Sequence, residues 1–157
     1  MGVDIHVRVL KYEDSEWKPV WLYKNVDGVF KRIPPYDTRW SELFEILAGE
    51  GQYEDIPTEC LNEKDLPEET LKAYQDEKDW CYGFTEVNLA DLQNYVLRHP
   101  LVKDYDVEWE DGEPVPLKDN PVKEFIEQIM NYIRFEDEYF LFSHSCSKIK
   151  IIFWFDR

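Results

Sequence analysis

Asp4, His6 and Arg8 alternate with Val3, Ile5, Val7 and Val9, so a strand running through them puts an acid, an imidazole and a guanidinium on one face. Neighbours on that face stand ~6.5 to 7 Å apart. A carboxylate two residues from a histidine can share a divalent metal with it, or orient it as a general base. Asp156 lies at the far end of the chain, on the same strand face as Trp154. If the first and last strands pair, Asp156 joins Asp4 and His6 as a three-ligand set. The same residues also suit a plain ion-pair network that anchors a strand end.

A second group is the run Asp104-Tyr105-Asp106-Val107-Glu108-Trp109-Glu110-Asp111. Read as a strand over Tyr105 to Glu110, it sets Asp104, Asp106, Glu108 and Glu110 in a row on one face. A ladder of carboxylates at that spacing resembles a phosphate backbone as a basic groove meets it. Asp76, Glu77 and Asp79 can extend it, with Trp80, Tyr82, Tyr105 and Trp109 as aromatic anchors. The bland role for such a row is an edge strand whose charges deter aggregation. A third group, His144 with Cys146, has the residue types for half of a zinc site, but the other half is missing: Cys60 and Cys81 are not spaced as its partner pair.

Other chemistries lack their motifs. There is no Gly-rich phosphate loop, H-E-x-x-H, nucleophile elbow, EF-hand loop or paired His-x-Ser/Thr. The three cysteines are odd in number and widely spaced, which points to reduced thiols. The opening residues have no basic and apolar leader pattern, and His6 stands where a myristoylation signal needs Ser or Thr. No apolar run approaches the ~20 residues that cross a bilayer. A soluble, cytoplasmic protein of one domain over residues 1–157 is expected.

The net charge is −16, and it is uneven. Residues 1–46 carry −1, residues 47–147 carry −17 and the last ten carry +2. Such a chain repels nucleic acid and anionic lipid, whose binding needs Lys and Arg to neutralise phosphate. It favours a basic protein surface or cations.

These groups need elements to hold them. Strands are expected over Val3–Leu10, Val20–Val26 and Val29–Ile33, the last two joined by an Asp27-Gly28 hairpin turn and ended by Pro34-Pro35. A helix over Arg39–Ala48, capped by Asp37 or Thr38, turns Trp40, Leu43, Phe44 and Leu47 to a sheet. Residues 50–66 read as a polar loop, followed by a short helix from Pro67 with Leu71 and Tyr74 inward. Asn88 caps a helix over Leu89–Arg98. Asn120-Pro121 opens the clearest helix, with Val122, Phe125, Ile126, Ile129 and Ile133 in register. Phe140–Phe142 reads as a short strand, and Lys148–Phe155 as a strand alternating Ile149, Ile151, Phe153 and Phe155. The fold class is therefore α+β, a mostly antiparallel sheet with helices packed on one face. The first and last strands are the most apolar and are expected at its centre, as candidate neighbours.

Three of these segments also carry a resemblance. Met1-Gly2-Val3-Asp4-Ile5-His6, the stretch Arg39-Trp40-Ser41-Glu42-Leu43-Phe44-Glu45-Ile46-Leu47-Ala48, and Ile149 to Asp156 (I-K-I-I-F-W-F-D) resemble a family of small phage and prophage proteins. That family opens on MGxDIH, has an R-N-Y-x-L-F-x-I-L-A helix and closes on V-R-I-V-F-W-F-D-N. The similarity covers about a quarter of the chain. It departs at Asp79-Trp80-Cys81-Tyr82-Gly83, where relatives often have a His- and Ser-rich stretch, so any chemistry resting on those histidines is lost here.

The resemblance implies a phage origin, a context in which small acidic proteins often disarm host defence. The leading expectation is an inhibitor that needs no cofactor. It would bind the basic, nucleic-acid-binding surface of a host defence protein through Asp104, Asp106, Glu108, Trp109, Glu110 and Asp111, and it would act in the host cytoplasm. The alternative is a metal-dependent, hydrolase-like enzyme holding a divalent ion with Asp4, His6 and Asp156. A third option is a small-ligand sponge with Arg8, Lys148 and Lys150 gathered in one pocket.

Overall fold

The computed structural model describes residues 3–34, 36–49, 56 and 58–156. Strand β1 (Asp4–Glu13) turns at Asp14-Ser15, both at positive φ, into β2 (Glu16–Val20). Strands β3 (Leu22–Val26) and β4 (Val29–Ile33) form a separate hairpin around Asp27-Gly28, with φ of 52° and 83°. The positive-φ pair is the turn the sequence called for. The strand expected over Val20–Val26 is broken at Trp21. Its indole is nearly buried and its backbone N–H leaves the ladder to meet Glu136 Oε2 at 2.6 Å.

Next come β5 (Tyr36–Arg39) and helix α1 (Ser41–Leu47). Neither Asp37 nor Thr38 caps α1: both belong to β5, and Trp40 stands at the cap with no side-chain bond. Of the expected loop over 50–66, residues 50–55 and 57 lie outside the described residues. The remainder holds a two-residue strand, β6 (Glu59–Cys60), and a 3-10 turn at Glu63–Asp65. Helix α2 (Glu68–Glu77), strand β7 (Tyr82–Asn88) and helix α3 (Leu89–Arg98) follow. Asn88 caps α3, its Oδ1 accepting from the Ala90 N–H at 2.9 Å.

Strands β8 (Leu101–Lys103) and β9 (Leu117–Asp119) pair with each other and lead into α4 (Pro121–Ser143), a 3-10 turn at Cys146–Lys148 and β10 (Ile149–Asp156). The strand expected at Phe140–Phe142 is instead the last turn of α4. At Asp137 the backbone leaves helical geometry, and the Asp137 side chain accepts the Phe140 N–H at 3.2 Å. That bond caps a second helical piece, so the chain kinks and continues.

The main sheet runs β2-β1-β10-β7-β6, with β5 and β2 sharing the outer edge of β1 end to end. Every one of these pairings is antiparallel. β10 is central, flanked by β1 and β7 and buried along nearly its whole length. One face of the sheet turns Ile5, Val7, Val9, Val87, Ile151, Phe153 and Phe155 into the main core. Helices α1, α3 and α4 cover that face with Leu43, Phe44, Leu92, Tyr95, Phe125 and Ile129. The opposite face carries a smaller cluster of Leu10, Cys81, Ile152 and Trp154, closed by Trp17, Leu66 and Phe84. Tyr74 of α2 packs edge-on against Phe84 there, so α2 lies across this second face. Among the described residues, no helix is long and apolar enough to cross a membrane.

Candidate functional site

Asp4 sits directly opposite Asp156 in the β1–β10 register, and His6 opposite Trp154. The side chains, however, are shared out differently from the expected three-ligand set. Asp4 is taken by Arg39, whose Nε donates to Oδ1 at 2.8 Å and holds the Asp4 carboxyl below its usual range. The partner of His6 is Asp37 on β5, with Nδ1 and Oδ1 2.9 Å apart. That hydrogen bond raises the His6 pKa against the opposing effect of burial. The other ring nitrogen, Nε2, is buried, has no hydrogen-bond partner among the described residues and lies 3.9 Å from Asp156 Oδ2.

Arg8, next along the face, is 7% exposed, with its guanidinium between the rings of Trp21 and Trp154. Nη1 donates to the Val7 carbonyl at 3.1 Å and approaches Asp37 at 3.8 Å. Desolvation pulls its pKa down from the ordinary arginine value, while the charge of Asp37 opposes this. Glu77 reaches the same face from α2, where its Oε2 accepts the Trp154 indole N–H at 2.6 Å. It therefore does not extend an outward acidic row as the sequence suggested. Cys81 is buried nearby, and burial pushes its thiol up to about 11, which leaves it protonated and inert at neutral pH. Among the described residues, no three His, Cys, Asp or Glu side chains are grouped to hold a metal.

Sequence reasoning missed Asp37 as the partner of His6. A signal did exist: Asp37-Thr38-Arg39, two residues past a Pro-Pro break, alternates like an edge strand. What was not local was the β1–β5 register that sets Asp37 opposite His6.

The acidic run takes a different form from the expected strand. Residues 104–116 are turns between β8 and β9, and residues 105–114 are all exposed. Asp104 Oδ1 accepts the Asp106 N–H at 3.1 Å, a side-chain turn that removes the backbone from any ladder. Asp104 also faces Lys118, at 3.7 Å. Asp106, Glu108, Glu110, Asp111 and Glu113 are exposed and make no ion pair with a described residue. Among them stand Tyr105, Val107 and Trp109, each between 43 and 47% exposed, with the Tyr105 and Trp109 rings edge to face at 6.1 Å. The loop meets α1 along a groove of about 480 Å³ lined by Trp40, Ser41, Glu42, Glu45, Tyr105 and Asp106.

The remaining candidates are not brought together. Lys150 is bound by Asp65 and Glu86 and lies over Trp17; Lys148 lies over Tyr12; Arg8 is held between its tryptophans. His144 stacks on Phe140 and bonds Ser143, while Cys60, Cys81 and Cys146 are all free thiols. Comparison with family models, curated proteins and solved structures finds no match to this chain.

Proposed function

We propose that this chain is an acidic binding protein that blocks the basic, nucleic-acid-binding surface of a host defence protein in a phage-infected cell. The observation that supports this is the loop at residues 104–113. Its exposed Tyr105, Val107 and Trp109 alternate along the chain with Asp106, Glu108 and Glu110, next to Asp111 and Glu113; none of these five carboxylates forms an ion pair with a described residue, and of them only Asp106 feels the charge of Lys118. Aromatic anchors inside a charged rim are the composition of protein-binding hot spots. The loop is irregular, so it competes by charge and by apolar contact rather than as a copied phosphate ladder.

Encounter is steered by opposite fields and screened by ions. Binding to a DNA-cleaving defence nuclease, measured by biolayer interferometry at low salt, should weaken at least about tenfold at 500 mM salt. Trp109→Ala should accelerate dissociation more than it slows association. No complex at low salt, or a complex indifferent to Asp106→Asn/Glu108→Gln/Glu110→Gln/Asp111→Asn, would end this reading.

A second reading, a metal-dependent hydrolase, draws on the unpartnered His6 Nε2 beside Asp156. In it Asp37, rather than Asp4, orients the imidazole, and a divalent ion would take its remaining ligands from water or substrate. Zinc or manganese that leaves the melting temperature unchanged, and protein purified without bound metal, would remove it.

A further inference from the structure

The β3–β4 hairpin stands apart from the main sheet and is exposed over nearly its whole length. A two-stranded ribbon is marginal on its own in water. Two attachments at its base hold it: Glu136 accepts the Trp21 N–H, and Arg32 Nη1 donates to both carboxylate oxygens of Glu69 at 2.7 and 2.6 Å. Beyond them it carries apolar side chains in water, with Phe30 70% and Val29 58% exposed.

Lys24 and Lys31 are direct cross-strand partners, and neither makes an ion pair with a described residue. Like charges placed opposite each other destabilise a strand pair, and an anionic surface laid over them relieves that cost. Val26 and Val29 share their face. The hairpin thus shows lysines and valines on one side, in a chain whose net charge is −16.

We propose that this hairpin docks on the 104–113 loop of a second copy of the same chain, and that the contact is made reciprocally. The two surfaces match in kind: cross-strand lysines and exposed valines on one, and on the other Tyr105, Val107 and Trp109 with carboxylates that, Asp104 apart, form no ion pair with a described residue. Reciprocity closes the assembly as a two-fold dimer, in which each hairpin meets the partner's loop. Nucleic acid is the other polyanion the lysines could meet, but the overall charge repels it. The exposed aromatics at the end of α4 (Phe135, Tyr139, Phe142) carry no charge pattern that selects an occupant. The dimer goes beyond the proposed function and adds a regulatory consequence: a basic target must displace the hairpin to reach the loop.

Sedimentation velocity on the full chain tests it. The wild type is expected to be dimeric at low salt and to dissociate near 500 mM, where the screening length is about 4 Å. Lys24→Glu/Lys31→Glu should weaken the dimer at least about tenfold, and so should Asp106→Lys/Glu108→Lys. Mixing the two variants should restore a dimer, because each reversed surface then meets its complement; this also shows that both variants are folded. A wild type monomeric at low salt, reversals without effect, or a mixture that stays monomeric would each overturn the proposal. So would duplex DNA binding that Lys24→Glu/Lys31→Glu abolishes. The hairpin variant leaves the loop intact and should still bind the basic target, so failure of the dimer and failure of the proposed function are told apart.

Discussion

At the scale of single residues, His6 is the group whose chemistry the fold changes most. Its raised pKa comes first from the hydrogen bond to Asp37. A group whose folded pKa lies above its unfolded value of 6.5 adds stability that is fully present below that value. The contribution is lost as pH rises through the folded pKa. Stability should therefore decline on the alkaline side of 6.5, and Asp37→Asn should flatten that decline and return the imidazole pKa towards its ordinary range. Imidazole proton shifts followed by NMR across pH 5 to 9 measure this directly, and an unshifted His6 in the wild type would contradict it. Much of this site was legible in the sequence. Alternation alone put Asp4, His6 and Arg8 on one face, while pairing of the end strands was one candidate arrangement whose register, with Asp156 opposite Asp4, only the fold supplies. The missing piece was Asp37, because sequence spacing within β1 says nothing about which strand lies across its edge.

At the scale of elements, caps and close approaches decide how the strands and helices are placed. Asn120 is 1% exposed; its Oδ1 accepts the Val122 N–H at 3.0 Å and its Nδ2 donates to the His99 carbonyl at 2.9 Å. Asn120→Ala strips the cap from α4 and leaves a carbonyl unpaired, at a cost of about 2 kcal/mol in chemical denaturation. Gly83 sits at φ +69°, beside the β7–β10 irregularity, and an added Cβ would lie 2.5 Å from the Phe155 ring. Gly83→Ala should cost about 1 to 3 kcal/mol through strained backbone and a displaced core ring. A melting temperature equal to wild type would refute either assignment.

Helices with long apolar periodicity and strands with strict alternation were readable because burial of one face dictates the pattern. The 104–111 run also alternates, yet it forms turns. Its alternating residues are carboxylates, which no core selects, and Asp104 bonds its own backbone instead. Pro114 and Pro116 beyond it are the signal against a ladder. Phe140–Phe142 misled for a related reason: three apolar residues in a row fit a buried strand or a helix turn equally well, and the Asp137 cap chose the helix.

At the scale of the whole molecule, the sheet divides labour between its faces. The side covered by α1, α3 and α4 is an apolar core, whereas the other side buries Arg8, Lys150 and Glu86 among tryptophans and carboxylates. Those buried bases are occupied locally, which leaves the acidic excess on the outer loops and, on the hairpin, Lys24 and Lys31 with no ion pair to a described residue. The uneven charge could be counted along the chain, but its neutralisation in some places and not in others depends on tertiary pairing.

The most direct test of the account is the affinity of the chain for a DNA-cleaving defence nuclease at low salt, wild type against the Asp106→Asn/Glu108→Gln/Glu110→Gln/Asp111→Asn variant. A salt-sensitive complex is expected, which the neutralised loop weakens at least about tenfold. Equal affinity for the two proteins, or no complex with either, would contradict it.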